Sequence, residues 1–191
     1  MEPFLTPSNI DSILRMYPDD PSLGVPYGRF DGMVWPQAGQ QWRRAASILG
    51  DFIMIAPSRL SAQVYSSAGS SPPATYKYRF NVTNPVYPNY PEYFGSTHGY
   101  EVNFVWNMPA VKTTPDYSLV ADFMSRSWAS FVSDLDPNQH GLEGMPTWEQ
   151  YSSRPEGANF VVQIGGYGME SDIYRFQGID FINRLMISIG H

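Results

Sequence analysis

The sequence predicts a mixed α/β fold, and two observations support that prediction. Apolar residues recur at helical spacing in several long segments, beginning with one that follows Thr6 and Pro7. Two other segments have the pattern of strands: aromatic and basic residues alternate in Tyr76–Phe80, and Asn159–Ile164 is almost wholly apolar. With 191 residues, 42% of them hydrophobic, the chain is long enough to bury a sizeable core in one domain.

The first two helical regions have clear boundaries. The Thr6 side chain can cap the first, and Pro7 suits its first turn. The second is expected from about residue 40 to residue 63, with breaks at Gly50 and Pro57. The apolar faces assigned to them are Ile10, Ile13, Leu14 and Tyr17 in the first, and Trp42, Ala45, Ala46 and Leu49 in the second.

Loops and three further helices make up the rest of the chain. Prolines and glycines, among them Pro18, Pro26 and Gly28, exclude regular structure after the first helix, and prolines 85, 88 and 91 make residues 81–99 a long loop. A short helix is expected over Glu101–Trp106, a long one after Pro115, and a last one over Asp172–Leu185. The inward residues assigned to the long helix are Leu119, Val120, Phe123, Met124, Trp128 and Phe131.

Composition excludes several classes of protein. The net charge of −6, with no basic cluster, argues against a nucleic-acid partner. No stretch approaches the roughly 20 apolar residues that span a bilayer. The first ten residues do not have the pattern of a signal peptide. The absence of cysteine excludes disulfides and a thiol nucleophile.

The sequence offers no cofactor or metal motif. Gly165, Gly166 and Gly168 follow the second strand, but neither phosphate-loop spacing is present, so a plain turn is expected there. The chain has three histidines: His98, His140 and His191. They share no metal-ligand spacing, and the acidic segment 134–143 does not match a calcium loop. We therefore expect no cofactor and no metal ion.

A catalytic serine is also hard to place. Serine hydrolases of the α/β type expose the nucleophile on a strained turn, usually G-x-S-x-G, and that pentapeptide does not occur in the 191 residues. Residues 67–71, SAGSS, are superficially similar, but they lie in a Pro/Ser-rich loop with no strand before them. From the residues alone, His98 therefore fits a structural or surface histidine better than a catalytic one.

The stretch Thr97–Pro109, THGYEVNFVWNMP, nevertheless resembles the histidine motif of type-B carboxylesterases, the family that includes cholinesterases and fungal lipases. The residues that match H-G-x-E-x-x-F-V-F-G-x-P are His98, Gly99, Glu101, Phe104, Val105 and Pro109. Trp106 stands where the family has phenylalanine, and Asn107 where it has glycine.

The resemblance covers nearly the whole chain, in the family's order. The similar segments are residues 5–26, 43–63, 76–81, 127–138 and 174–183. Segment 127–138 resembles the helix that leads into the family's G-D-P-N loop, with Leu135 at the glycine position.

The resemblance implies the carboxyl-terminal portion of an α/β-hydrolase fold, a single and incomplete domain over residues 1–191 whose sheet is also incomplete. The activity it implies is hydrolysis of carboxylic esters through an acyl-serine intermediate. His98 is then the general base that takes the serine proton, and Gly99 and Glu101 support it structurally.

The family's serine elbow, oxyanion loop and triad acid have no counterpart among these residues, so the chain alone is expected to be inactive. Three explanations stay open: a fragment of an esterase, one half of a split enzyme completed by the missing amino-terminal hydrolase segment, or a non-catalytic binding protein derived from the fold. Family members are often secreted, but the sequence leaves the compartment open. Asn81-Val82-Thr83 forms an N-glycosylation sequon, a triplet that is common by chance.

Overall fold

The computed structural model describes residues 5–24 and 33–189, and within them six α-helices and three β-strands. The helices are α1 (Pro7–Met16), α2 (Trp42–Gly50), α3 (Ala56–Ser66), α4 (Val102–Val105), α5 (Pro115–Asp134) and α6 (Phe176–Ile189). The strands are β1 (Tyr78–Phe80), β2 (Ala158–Val162) and β3 (Gly168–Ser171). Pro26 and Gly28 of the predicted loop, and His191, lie outside the described residues.

The chain divides into two units. The first contains the described residues up to Ser61 together with those from Ile173 onward, and the second is Ala62–Asp172. No helix in the described part of either unit combines the length and apolarity needed to cross a bilayer.

In the first unit, α1 begins as predicted. The Thr6 hydroxyl accepts a hydrogen bond from Asn9 N (3.2 Å), and Pro7 occupies the first turn, where a missing N–H has no helical partner to lose. The predicted apolar face is half right, because Ile10 and Leu14 are each 41% exposed. The apolar core of this unit is built from Ile13, Tyr17, Ala56, Ile179 and Ile182.

The second helical region is divided near both predicted positions, since α2 ends at Gly50 and α3 begins at Ala56, next to Pro57, but the pieces are joined without a gap. Gly50 does not interrupt the helix, because a π-helical turn, Asp51–Ile55, connects α2 directly to α3. Pro57 lies in the first turn of α3, a position where its ring and missing N–H are tolerated.

The apolar stripe predicted for α2 is wrong, since Leu49 is 59% exposed and Ala45 is exposed as well. The buried residues of this segment are polar: Arg43, Ser47 and Asp51. An apolar-periodicity argument cannot locate a helix face whose buried side chains are polar and hydrogen-bonded.

Asp51 accounts for much of that polar face. Its carboxylate is fully buried and accepts hydrogen bonds from Tyr17 Oη (2.7 Å) and from Arg175 Nε and Nη2 (2.6 Å each). Burial, with the adjacent Asp51 charge, raises the pKa of Tyr17, so this hydroxyl stays protonated and donates. The two-pronged ion pair compensates the cost of taking the Asp51 charge out of water.

The second unit contains a three-stranded sheet in the order β1-β2-β3. β1 runs parallel to β2, with Tyr78 opposite Phe160, and β3 runs antiparallel to β2, with Met169 opposite Phe160. Both predicted strands are confirmed, although each is shorter than expected, and every residue of β2 is buried. The sequence did not predict β3, because its four residues, GMES, have no alternating apolar pattern.

The predicted glycine turn is confirmed, since it joins β2 to β3 as a hairpin in which Gly165 has a φ of 73°. The last helix begins later than predicted, because Asp172 belongs to the sheet region instead. Its carboxylate accepts hydrogen bonds from Lys77 Nζ (3.3 Å) and Tyr151 Oη (3.0 Å), and its backbone N–H donates to Gly157 O (2.9 Å).

α5 and α4 are confirmed, and α5 supplies one wall of the core. Its buried residues are Val120, Ala121, Phe123, Met124, Ser127 and Ser130. Leu119 and Phe131 are exposed rather than inward, because the buried stripe follows residues 120, 123–124, 127 and 130. Phe123 stacks on Phe160 of β2 (5.3 Å between ring centres), and Phe160 in turn stacks on Trp148 (5.1 Å).

Candidate active site

Residues 81–101, named here the histidine loop, leave the carboxyl end of β1 and lead into α4. Asn81 N donates to Val162 O (2.8 Å), which extends the β1–β2 pairing by one residue. Beyond that point the loop is irregular, as predicted, except for one 3₁₀ turn at Glu92–Phe94. In open α/β sheets, ligands usually bind outside the carboxyl ends of parallel strands, and the loop starts at this end of β1.

His98 lies in a tight turn near the end of this loop. Tyr100 N donates to Thr97 O (3.2 Å) and Val102 N donates to Gly99 O (3.3 Å). Gly99 has a φ of 83°, a conformation that favours glycine, which explains this residue directly after the histidine. The imidazole is exposed, and neither ring nitrogen has a hydrogen-bond or ion-pair partner within residues 5–24 and 33–189.

Glu101, the acidic residue of the motif, caps the start of α4. Its carbonyl accepts hydrogen bonds from Phe104 N and Val105 N (2.9 Å each). Burial, together with the nearby Glu101 carboxylate, raises the pKa of Tyr78 to about 12. No hydrogen bond joins Glu101 to His98 in the described structure.

A buried asparagine ties the two ends of the histidine loop together. Asn84 Oδ1 accepts from Val86 N (2.9 Å), and Asn84 Nδ2 donates to Tyr100 O (2.9 Å), two residues beyond His98. The sequence analysis missed this residue. The Asn84-Pro85 pair is a turn signal that could have revealed the first bond, but nothing local indicates the second.

Both departures from the family's glycines fall at left-handed backbone positions. Asn107 has a φ of 50° and follows α4, and asparagine tolerates that conformation better than most residues. Leu135 has a φ of 56° and ends α5, where its Cβ is strained. The backbone at both positions therefore still has the shape that a glycine would suit.

His140 lies in the loop after α5 and has a different environment. Its Nδ1 accepts a hydrogen bond from Leu142 N (3.0 Å), and its ring packs in a T-shaped arrangement with that of Phe123, with 5.3 Å between ring centres. Burial and the charge of Arg126 hold the pKa of His140 below its ordinary value, against the opposing effect of Asp136. The imidazole is therefore part of the packing of this loop.

Asn81, the sequon residue, is half-buried. Its Nδ2 donates to Gln163 Oε1 (3.2 Å), and Thr83 Oγ1 lies 3.1 Å from Tyr117 Oη. A glycan on Asn81 would replace the first of these bonds, and glycosylation stays a prediction. Within the described residues, no three acidic or histidine side chains form a group that could hold a metal ion.

The first unit contains a cavity of about 350 Å³. Tyr17, Arg44, Ser47 and Arg175 are among its lining residues, and none of the predicted site residues lines it. Arg44 is engaged by backbone carbonyls, through Nε to Tyr17 O (2.6 Å) and Nη2 to Leu14 O (2.9 Å).

Comparison of the sequence with those of known proteins identifies its family. The sequence model described as "Carboxylesterase family" matches residues 36–168. Acetylcholinesterase-1 of Trittame loki is 31% identical over 137 residues, which cover 67% of this chain and 23% of that protein. Secreted lipase 1 of Botryotinia fuckeliana (strain B05.10) is 27% identical over 176 residues, which cover 92% of this chain and 28% of that protein. The chain therefore spans about a quarter of the length of these relatives.

A solved structure shows the fold. EstA of Aspergillus niger superposes with a TM-score of 0.75 at 20% sequence identity, over 97% of this chain and 34% of that one. The described elements thus form part of an α/β-hydrolase fold, with a small open sheet and many helices, as the resemblance implied. The family model matches most of this chain, residues 36–168, and the chain therefore belongs to the carboxylesterase family.

Proposed function

We propose that this chain is the carboxyl-terminal portion of a serine carboxylesterase and that His98 is its general base. The observation that carries the proposal is the position of His98 within the family motif. It is an exposed imidazole on a turn, at the end of a loop from the carboxyl end of β1, with no partner for either ring nitrogen in the described structure.

A general base of this kind needs both nitrogens. One must accept the proton of the serine hydroxyl, and the other must donate to a carboxylate that fixes the tautomer. Tight local hydrogen bonding of either nitrogen would compete with these roles. His98 has neither nitrogen engaged within residues 5–24 and 33–189, whereas His140 already uses Nδ1 to accept from Leu142 N.

In this proposal His98 of this chain supplies the general base, and the other catalytic groups come from the missing part of the enzyme. The serine oxygen attacks the ester carbonyl as His98 takes its proton, and His98 returns that proton to the departing alcohol. Water then attacks the acyl-serine, gives a proton to His98 and releases the acid, after which the proton returns to the serine. The serine, the oxyanion donors and the triad acid are contributed by residues outside these 191.

Glu101 is not the triad acid in this proposal. Its carboxylate has no hydrogen bond to His98 in the described structure, and its backbone carbonyl caps α4, so we assign it the support of the short helix that follows the histidine turn. Gly99 supports the same turn through its left-handed backbone.

The proposal is tested by supplying the missing parts. The amino-terminal two-thirds of A. niger EstA, or of the Botryotinia lipase, is fused to this chain or co-expressed with it, and hydrolysis of p-nitrophenyl butyrate is measured. We expect activity in the assembly, with the rate rising as an imidazole loses its proton near pH 6 to 7. A serine-directed phosphonate should label the amino-terminal part.

The purified chain alone is the control. It should hydrolyse the ester no faster than its His98→Ala variant, because free imidazole groups cleave activated esters slowly without a serine. Stoichiometric phosphonate labelling of one serine within these 191 residues would contradict the proposal. A folded assembly that binds the phosphonate nowhere would favour a binding protein instead.

A further inference from the structure

We infer that Asn84 is a positioning residue for His98: its side chain closes the histidine loop and so fixes the turn that presents the imidazole. The inference rests on the proposed function for its catalytic consequence, but its structural content can be tested without any activity.

The geometry of Asn84 suits this role. Its side chain is buried, and both of its polar atoms are used, one at each end of the loop. The bond from Nδ2 to Tyr100 O joins residues that are 16 positions apart, and it reaches the chain two residues after His98. A buried amide with both ends satisfied holds a single geometry, because any movement of the turn would leave a buried polar atom unpaired.

The loop between those two contacts has little regular structure to hold it. Local backbone turns and ring contacts add to the Asn84 bonds: Tyr87 stacks on Tyr100 (5.5 Å), and the Tyr90 and Tyr100 rings pack edge-to-face (6.0 Å). Such ring contacts tolerate sliding, whereas a hydrogen bond weakens steeply when its atoms move apart or out of line. We therefore take the Asn84–Tyr100 hydrogen bond as the contact that fixes the position of the His98 turn relative to the end of β1.

We name the two Asn84 side-chain hydrogen bonds, to Val86 N and to Tyr100 O, the Asn84 clamp. Two substitutions separate the effects of these two bonds. Asn84→Asp keeps an oxygen that accepts from Val86 N but replaces the donor to Tyr100 O by a second oxygen, which repels that carbonyl. Asn84→Ala removes both bonds. Asn89→Asp is the matched control, since Asn89 lies in the same loop, is exposed, and has no hydrogen bond within the described residues.

The readout is amide hydrogen exchange in the purified full chain at pH 8, where an introduced aspartate is ionised. In Asn84→Asp we expect exchange at Tyr100 and Val102 to rise by about tenfold or more, with Val86 little changed. In Asn84→Ala, Val86 should become fast as well. Exchange at Phe160 of β2 is measured in the same sample, so global destabilisation, which raises every rate together, is separated from local opening.

An unchanged ratio of turn exchange to β2 exchange in Asn84→Asp, relative to Asn89→Asp, would overturn the inference. A second arm uses the assembled esterase, with rates given per phosphonate-titrated site so that unfolded molecules do not count. There Asn84→Asp should lower kcat by about tenfold or more while KM stays within about twofold.

The two hypotheses fail in different ways. Full activity in His98→Ala would contradict the proposed function, while the exchange pattern would still decide whether Asn84 holds the turn. Local opening in Asn84→Asp with an unchanged kcat per site would show that the clamp does not position a catalytic group, and this inference would then be wrong.

Discussion

The histidine loop and the loop after α5, residues 135–149, each contain one histidine and each is closed by an asparagine side chain. In the second loop, Asn138 Oδ1 accepts from Trp148 N (2.7 Å) and Asn138 Nδ2 donates to Trp148 O (3.0 Å). Its histidine, His140, packs on Phe123 and accepts from Leu142 N. The histidine of the first loop, His98, has no such partner in the described structure.

The comparison separates two uses of the same side chain. An imidazole that packs against a ring and completes a backbone hydrogen bond stabilises its loop. We expect an exposed imidazole on a turn, such as His98, to contribute little to stability, and under the proposed function it is the group that transfers the proton. Substitution of His140 should therefore lower stability more than activity, and substitution of His98 should lower activity more than stability.

The largest stability effect is expected for Asn138→Ala. It removes the bonds to Trp148 and a further bond from Asn138 Nδ2 to Asp136 Oδ1 (2.6 Å), and leaves the Trp148 backbone groups without partners. The free energy of unfolding should fall by about 2–3 kcal/mol. Chemical denaturation checks this, with exposed Gln139→Ala as the control, which should cost less than about 1 kcal/mol.

The next largest effect is the difference in stability between the His140→Ala and His98→Ala variants. His140→Ala loses the acceptor for Leu142 N and the contact with Phe123, so we expect a loss of about 1–2 kcal/mol in the free energy of unfolding. His98→Ala should change it by less than about 0.5 kcal/mol, because the side chain is exposed. Equal losses in denaturation of the two variants would break the comparison.

Substitutions at the two left-handed residues, Leu135 and Asn107, should have a smaller effect on stability, and Leu135→Gly should raise it. Leu135→Gly relieves a strained backbone at the end of α5, and Leu135 is 68% exposed, so little packing is lost. We expect the melting temperature to rise, by the equivalent of about 1 kcal/mol. Asn107→Gly should change it little, because asparagine already tolerates that conformation. A lower melting temperature for Leu135→Gly would mean that the Leu135 side chain contributes packing that its exposure does not suggest.

The smallest effect concerns pH. Because the pKa of His140 in the folded chain lies below its ordinary value of 6.5, the unfolded chain binds more protons between the two values. The free energy of unfolding should therefore fall as the pH drops below 6.5, and His140→Gln should reduce that slope. Denaturant titrations between about pH 7 and pH 5 measure it. The same slope in both proteins would show that His140 does not titrate differently on folding.

Sequence patterns predicted the helices and strands whose buried side chains are mostly apolar. β2 is a continuous apolar run, and it is buried throughout. The cap of α1 was also predictable, because Thr6 acts on its immediate neighbours. Gly99 came from the family motif, and its left-handed turn is seen in the structure. α2 was assigned the wrong face because its buried residues are polar, and their partners, such as Arg175 for Asp51, lie far along the chain.

The candidate site was predictable only in part, for the same reason. His98 came from a motif, and the structure adds what the motif does not contain: an exposed imidazole and a loop closed by Asn84. The bond from Asn84 to Tyr100 joins distant residues through a backbone carbonyl, which carries no side-chain signature in the sequence. Similarly, β3 forms because β2 offers it an edge, not because of its own apolar pattern.

The central claim is that His98, and not His140, is the base of the esterase. The most direct test compares kcat/KM for p-nitrophenyl butyrate in the assembled enzyme and in its His98→Ala and His140→Ala variants, each given per mole of assembled protein whose folding is checked by circular dichroism. The account predicts a loss of several orders of magnitude for His98→Ala, because triad members act as a unit, and a change within about fivefold for His140→Ala. Full activity of a folded His98→Ala assembly would contradict it.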